Sequence, residues 1–215
     1  DDAICFSIRR MGYKVILARD TFVHHYGARS FNADMALQAR NRQLFIDKFR
    51  ADPYLAGLID FGMLDTLAYY GRESADILGI GQSYGSTALH LKNACRLNGC
   101  KRAALYYLAD GVGYLPDLKT VCDRCEAGSP HMAERLFGER QYDYIALETD
   151  MRQVADRPAF YRMLYGMLRE GGQLACTAAD DGMLYETMGI FYGLGARFGK
   201  QVRHYYLSFV KPAGR

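Results

Sequence analysis

The sequence lacks several features by which common classes of protein are recognised. It has no run of apolar residues near the roughly 18 that a membrane-spanning helix needs, and no signal-peptide pattern at its start. It also has no long run of lysine or arginine, and its formal net charge of +3 is dispersed along the chain. Such a charge is too weak for a nucleic-acid-binding surface. The composition predicts a cytoplasmic protein with no membrane span and no nucleic-acid partner.

The cysteines lack the spacing of a structural zinc site. Such a site usually contains two closely spaced pairs, whereas only Cys122 and Cys125 form a C-x-x-C here. Cys95 and Cys100 would complete a set of four ligands, but this second pair is looser and Cys95 falls within a predicted helix. We therefore expect free thiols in a reducing compartment.

The length and the hydrophobic content allow a sizeable core. The chain has 215 residues, half of them hydrophobic, which suffices for one large domain or for a domain with an appendage. Its first residue is Asp1 rather than methionine, from which we expect a piece of a longer protein. Residues 33–50 have a helical pattern that Asp52-Pro53 interrupts. The predicted boundary separates residues 1–51 from residues 52–215.

Beyond this boundary the pattern alternates between strands and helices. Apolar runs predict strands over residues 75–80, 102–108, 142–147, 173–177 and 201–210. Helical periodicity predicts helices over residues 54–70, 86–98, 159–169 and 183–194. Because right-handed crossovers join parallel neighbours, the alternation predicts an α/β fold with a doubly wound, mostly parallel sheet and helices on both faces.

The first of these strands runs into a turn rich in small residues, Gly79-Ile80-Gly81-Gln82-Ser83-Tyr84-Gly85. Where a strand leads into a helix, such a turn lets the backbone approach a ligand and directs helix N–H groups toward it. A tight connection that needs glycine only for its backbone angles would have the same composition. The turn alone leaves both interpretations open.

With its surroundings, the turn resembles the first motif of the class I S-adenosylmethionine-dependent methyltransferases, an acidic residue followed by a G-x-G-x-G loop. Ser83 stands at the middle glycine of that loop, and Gly79 stands at the acidic residue. Later segments resemble the family's fourth strand, the helix and fifth strand after it, and its final antiparallel strand. The resemblance covers residues 52–212 and implies a Rossmann-like sheet with an antiparallel C-terminal strand. The family's third strand has no obvious counterpart, so residues 119–140 hold a short one or none.

The resemblance also implies S-adenosylmethionine as the cofactor, with contacts from Gly79, Gly81, Gln82, Ser83, Gly85, Asp110 and Glu148. In the family, an acid at the end of the second strand holds the ribose hydroxyls, and Asp110 is the nearest candidate. Glu148 lies where substrate-facing residues usually occur. A solvated loop aspartate and a surface carboxylate are the alternatives for these two. Few catalytic residues are expected, because methyl transfer depends mostly on proximity and alignment.

Residues 1–51 resemble the closing part of family 2 glycosyltransferases, in which an acidic pair precedes a helix and the motif R-x-x-G-Y. The resemblance implies that Asp1, with Asp2 after it, corresponds to the catalytic base that deprotonates the sugar acceptor. It aligns His25 with a histidine that in some members helps to hold a divalent metal and the diphosphate. A helix cap for the acidic pair and a buried histidine are the alternatives. Both roles require a nucleotide-binding half that would precede Asp1.

Two functions therefore remain open. The first is a methyltransferase that modifies a sugar or glycan made by an attached glycosyltransferase domain. The second is a degenerate Rossmann module that positions the glycosyltransferase, binds its acceptor or mediates homo-oligomerisation. The departures from the family motif at Gly79 and Ser83 favour the second.

Overall fold

A computed structural model describes residues 2–13, 15, 35–50, 52–56, 58–69 and 71–214. The strands in these residues are β1 Ser74–Gly81, β2 Arg102–Ala109, β3 Arg124–Ala127, β4 Tyr142–Glu148, β5 Leu168–Thr177, β6 Arg197–Val202 and β7 Tyr206–Val210. They form a seven-stranded sheet in the order β3-β2-β1-β4-β5-β7-β6. Strands β1 to β5 pair in parallel, and β7 runs antiparallel to both β5 and β6. The predicted doubly wound sheet with an antiparallel C-terminal strand is confirmed.

Helices cover both faces of the sheet. Their bounds are α1 Asp2–Arg10, α2 Met35–Phe49, α3 Pro53–Ala56, α4 Phe61–Leu64, α5 Ser86–Leu97, α6 Leu115–Leu118, α7 Ala133–Phe137, α8 Arg157–Met167 and α9 Asp181–Gly193. Successive residues of a strand point to opposite faces of the sheet. Ile77 therefore belongs to the apolar cluster that contains Leu91 of α5, whereas Leu78 belongs to the cluster that contains Leu164 of α8. The core is thus two apolar layers separated by the sheet. None of the helices described is both long and apolar enough to cross a membrane.

Aspartate side chains start three of these helices. Asp60, Asp156 and Asp180 each accept a hydrogen bond from the backbone N–H three residues later, at the starts of α4, α8 and α9. An N-cap of this kind satisfies an amide that has no partner within the helix.

The helix expected over residues 54–70 is wrong. The described part of this segment contains only the short helices α3 and α4. After α4 the backbone bonds to buried side chains of the sheet: Ala68 exchanges two hydrogen bonds with the Gln173 side chain, and the Thr66 carbonyl accepts one from Ser208. These tertiary hydrogen bonds take the place of the next helical turn.

The C-terminal strand expected over residues 201–210 is instead a hairpin of β6 and β7. Arg203 and His204 form its turn with positive φ angles of 47° and 66°. Hairpin turns of this type usually contain asparagine, aspartate or glycine, so neither residue indicated a turn. The strand that could not be placed is β3, which lies at the edge of the sheet against β2.

The N-terminal helices pack against the sheet domain. Phe6 of α1 contacts Phe45 and Phe49 of α2, and Arg10 forms an ion pair with buried Asp117 of α6. Helix α2 ends at Phe49 and α3 begins at Pro53, so the helical pattern breaks where Asp52-Pro53 predicted.

Candidate functional site

The carboxyl ends of the parallel strands meet at one edge of the sheet, where two cavities open side by side. The chain continues from β1 outward to β2 and β3, but from β4 it builds the other half of the sheet. This reversal between β1 and β4 is the point at which doubly wound sheets leave a crevice. The larger cavity has a volume of about 760 Å³ and the smaller about 350 Å³. Thr149, directly after β4, lines both cavities.

The glycine-rich loop, residues 81–85, lies at the end of β1 on this edge of the sheet, and its Gln82 lines the larger cavity. Gly81 has a φ of +149°, and a Cβ there would lie 2.5 Å from the carbonyl carbon of Glu148. The loop can cross the end of β4 this closely only because Gly81 has no side chain. Ser83 Oγ accepts a hydrogen bond from the Gly85 N–H at 2.9 Å and closes the turn before α5. Gly81 and Ser83 thus shape the loop that the sequence indicated.

Gly79 has a different environment from the rest of the loop motif. It lies within β1 directly opposite Tyr107 of β2, and a Cβ at Gly79 would be 2.3 Å from the Tyr107 ring. Gly79 is buried and does not line either cavity. The space that a side chain would occupy at this position is filled by the tyrosine ring.

Tyr107 connects this position to Glu148. Its hydroxyl donates a hydrogen bond to Glu148 Oε1 at 3.0 Å, and Glu148 lines the larger cavity. Burial raises the pKa of the Glu148 carboxyl, hydrogen bonds from Thr87, Tyr107 and Ser83 lower it, and the charge of Asp60 raises it; the net shift is upward. An acid from β4 therefore reaches the region where the family motif places an acid on β1.

Asp110 lies on the other side of the loop, where it lines the smaller cavity together with Ser129, His131 and Gln153. Gln82 of the glycine-rich loop donates its side-chain amide to Asp110 Oδ2 at 2.9 Å. Gln82 itself lines the larger cavity. The structure thus brings Gln82, Asp110 and Glu148 to one crevice, with the carboxylates on opposite sides of the loop.

Solved structures share this architecture. A proposed S-adenosylmethionine-dependent methyltransferase of Methanococcus maripaludis superposes with a TM-score of 0.54 and 10% identity, covering 82% of this chain and 93% of that one. A TehB-like S-adenosylmethionine-dependent methyltransferase of Corynebacterium glutamicum superposes with 0.51 and 15% identity, over 84% and 100%. Aeropyrum pernix fibrillarin, solved with natively bound S-adenosylmethionine, superposes with 0.52 and 17% identity, over 69% and 72%. No protein-family model and no curated protein matches the sequence.

The chain has the fold of the class I S-adenosylmethionine-dependent methyltransferases. At these identities the likeness establishes the fold and not the activity. In this chain the antiparallel β7 lies beside β5, as the sequence resemblance implied for the final strand.

Within this methyltransferase fold, sequence reasoning missed several polar residues of the larger cavity, among them Asp60 and Tyr206. Asp60 belongs to the segment wrongly predicted as one long helix, and its backbone N–H donates to Thr87 Oγ1 at 3.1 Å. Burial and a hydrogen bond to Asp60 raise the pKa of Tyr206, whose ring lies over Gly62. Tyr206 begins an antiparallel strand, so its end of β7 is at the carboxyl edge. The position of Tyr206 at this edge depends on the β6–β7 hairpin, which the sequence did not indicate.

The described part of the structure does not include the side chains assigned to glycosyl transfer. Asp1 and His25 lie outside the described residues. Asp2 is the first residue of α1, and its side chain is likewise not described.

The cysteines are free thiols, and the described residues include no group of three or more histidine, cysteine, aspartate or glutamate side chains placed to hold a metal. Cys122 and Cys125 lie at the margin of the apolar layer on the α5 side of the sheet. Burial raises the pKa of Cys122 to about 12, which makes its thiolate scarce at neutral pH.

Proposed function

We propose that residues 52–215 form a methyltransferase domain that binds S-adenosylmethionine across the two cavities and methylates an acceptor in the larger one. The observation that supports this most is the arrangement of one crevice around the glycine-rich loop, with Asp110 in the smaller cavity and Glu148 in the larger. A ligand with a nucleoside at one end, toward Asp110, and a charged group at the other matches two adjoining cavities of this kind.

The residues present fit such a cofactor. A carboxylate accepts several hydrogen bonds, so the Gln82 amide on Asp110 leaves capacity for a pair of ribose hydroxyls. Gly81 lets the loop pass close to the end of β4, where a Cβ would collide with the Glu148 backbone. Gln82, Ser83 and Gly85 belong to the same loop, and Gly79 lies within β1 just before it. When bound, the cofactor would supply an electrophilic methyl group on its sulfonium.

Glu148 is the group we assign to proton transfer from the acceptor. Its carboxyl lies in the larger cavity with a raised pKa, and a carboxylate of raised pKa is a stronger base toward a hydroxyl proton. Asp60 and Tyr206 line the same cavity and offer further hydrogen bonds. These groups suit a polar acceptor that carries hydroxyls, such as a sugar or a glycan.

Calorimetric titration of the chain with S-adenosylhomocysteine tests the proposal. Ligand at about 100 times its dissociation constant should also add about 2.7 kcal/mol to the stability. Asp110→Asn should weaken binding by about tenfold, because it replaces a hydrogen bond to a charged group, of about 1.5–3 kcal/mol, by one to a neutral group, of about 0.5–1.5 kcal/mol. Asp65→Asn, at an exposed position after α4, is the matched control. Absence of binding by the unaltered chain at millimolar ligand would refute the proposal.

We further propose that residues 1–51 are the end of a family 2 glycosyltransferase domain, with Asp1 and Asp2 supplying its base and His25 its metal contact. The resemblance of the sequence motifs supports this parentage. The docking of α1 and α2 on the sheet domain is compatible with it. A sugar-nucleotide-binding sequence directly upstream of Asp1 is the expected finding, and an unrelated upstream sequence would contradict it.

The second candidate, a non-catalytic module, is favoured by one observation. The position of the family's acidic residue is Gly79, and Tyr107 fills the space beside it. A module that no longer binds the cofactor would tolerate the Tyr107 ring at this position. The same titration separates the two candidates, because only the methyltransferase requires S-adenosylhomocysteine to bind.

A further inference from the structure

The glycine-rich loop contains a large side chain whose support comes from outside the sheet. Tyr84 lies between Ser83 and Gly85 and is 3% exposed. Its ring packs edge-on against Phe6 of α1, with 4.5 Å between ring centroids, and against Tyr114, with 5.4 Å. Phe6 belongs to the N-terminal helices, so the loop is in direct contact with a part of the chain remote in sequence.

Ring packing holds Tyr84 in place. Among the described residues, its hydroxyl is buried and has no hydrogen-bond partner. Burial raises the pKa of Tyr84 far above its ordinary value, and the nearby Asp117 charge raises it further. The phenol therefore stays neutral, and the position of the ring depends on its aromatic neighbours.

Helix α1 is itself held firmly in place. The Arg10 guanidinium donates to Asp117 Oδ2 from Nε at 3.1 Å and from Nη2 at 2.7 Å, and the Asp117 side chain is fully buried. Arg10 Nη2 also donates to the Gly113 carbonyl at 3.1 Å. Arg50, which follows α2, packs so closely on Gly113 that a Cβ at Gly113 would lie 1.9 Å from the Arg50 carbonyl oxygen. The contact between the end of α2 and the sheet domain therefore requires a glycine at position 113.

We propose that Phe6 is a positioning residue for the ligand site, and that α1 sets the conformation of the glycine-rich loop through Tyr84. The identity of the ligand rests on the proposed function, but the coupling between α1 and the loop does not. Ligand binding at the loop and docking of α1 then stabilise each other, because coupling between two sites is reciprocal. Under the proposed function, this contact links the segment that resembles a glycosyltransferase to the methyltransferase site.

Hydrogen exchange in the full chain tests the coupling. Phe6→Ala should speed exchange of the amides of residues 81–85 by about tenfold, a change typical of coupled sites. Exchange in β5 should stay as it is in the unaltered chain. Ile4→Ala is the matched control, because Ile4 lies on α1 and is 63% exposed. Phe6→Leu keeps apolar contact and should have a smaller effect, and it serves in place of Phe6→Ala if that variant does not fold.

A second readout uses the ligand. Saturating S-adenosylhomocysteine should slow exchange in α1 of the unaltered chain, and Phe6→Ala should bind it about tenfold more weakly. Unchanged loop exchange in both Phe6 variants would overturn the inference, whatever the binding result. If the unaltered chain binds no S-adenosylhomocysteine, the proposed function fails, and the exchange of residues 81–85 still decides whether α1 positions the loop.

Discussion

Removing the Tyr107 hydroxyl isolates the buried hydrogen bond beneath the site. Tyr107→Phe leaves the ring over Gly79 in place and removes the hydroxyl, which donates to Glu148 Oε1 at 3.0 Å and also interacts with Ser83. A hydrogen bond to an ionised group contributes about 1.5–3 kcal/mol, and one between neutral groups about 0.5–1.5 kcal/mol. The loss of unfolding free energy should therefore be about twice as large where Glu148 is ionised as where it is protonated.

The sign of the pH dependence follows from the raised pKa of Glu148. In the native chain this carboxyl keeps its proton to higher pH than in the unfolded chain, so its contribution to stability falls as pH rises between the two pKa values. Tyr107→Phe removes a hydrogen bond that lowers the pKa of Glu148 in the native chain. In the variant, the decrease in stability with rising pH therefore continues to higher pH. Burial keeps the Tyr107 phenol protonated over this range.

Urea unfolding of both proteins between pH 4 and pH 8 measures the effect, with two-state fits at each pH. Tyr142→Phe is the matched control, since Tyr142 is fully buried and its hydroxyl donates at 3.0 Å to a neutral acceptor, the Phe137 carbonyl. Its loss should be about 0.5–1.5 kcal/mol at every pH. A Tyr107→Phe loss that is equally independent of pH would refute the assignment of a buried carboxylate to Glu148.

Two further substitutions test the packing around the site. Gly79→Ala should lower the unfolding free energy by about 1–3 kcal/mol through overpacking against the Tyr107 ring. The double variant Gly79→Ala with Tyr107→Leu should recover part of this loss. Equal stability of Gly79→Ala and the unaltered chain in urea unfolding would contradict the prediction. Arg10→Met should lower the unfolding free energy by about 3–5 kcal/mol, because it leaves the Asp117 charge buried and uncompensated. The double variant Arg10→Met with Asp117→Leu should recover most of this loss. A double variant no more stable than Arg10→Met would show that the ion pair is not the cause.

Much of the sheet could be predicted from local patterns. The apolar runs that became β1, β2 and β4 and the turn at residues 81–85 were visible because burial on both faces and a strand-to-helix turn each demand particular residue types in sequence. The segment after Pro53 could not be predicted, because hydrogen bonds from Gln173 and Ser208 replace its helical ones. The turn at Arg203 and His204 carried no glycine or asparagine to mark it.

The candidate site divides in the same way. Asp110 and the glycine-rich loop follow strands and could be assigned by position, whereas Asp60 and Tyr206 reach the cavity only through the arrangement of α4 and the hairpin. The contact of Phe6 with Tyr84 was equally invisible, since it joins a helix and a loop far apart in the chain.

The sequence by itself determined the alternation of strands and helices, and with it the fold class, because the period of apolar residues decides which faces of each element are buried. Only the tertiary structure decided what surrounds the site. The pairing of Gly79 with Tyr107 and the placing of Glu148 beneath the loop depend on the register of β1 against β2 and β4. That register results from the packing of the whole sheet, and no local pattern in the chain specifies it.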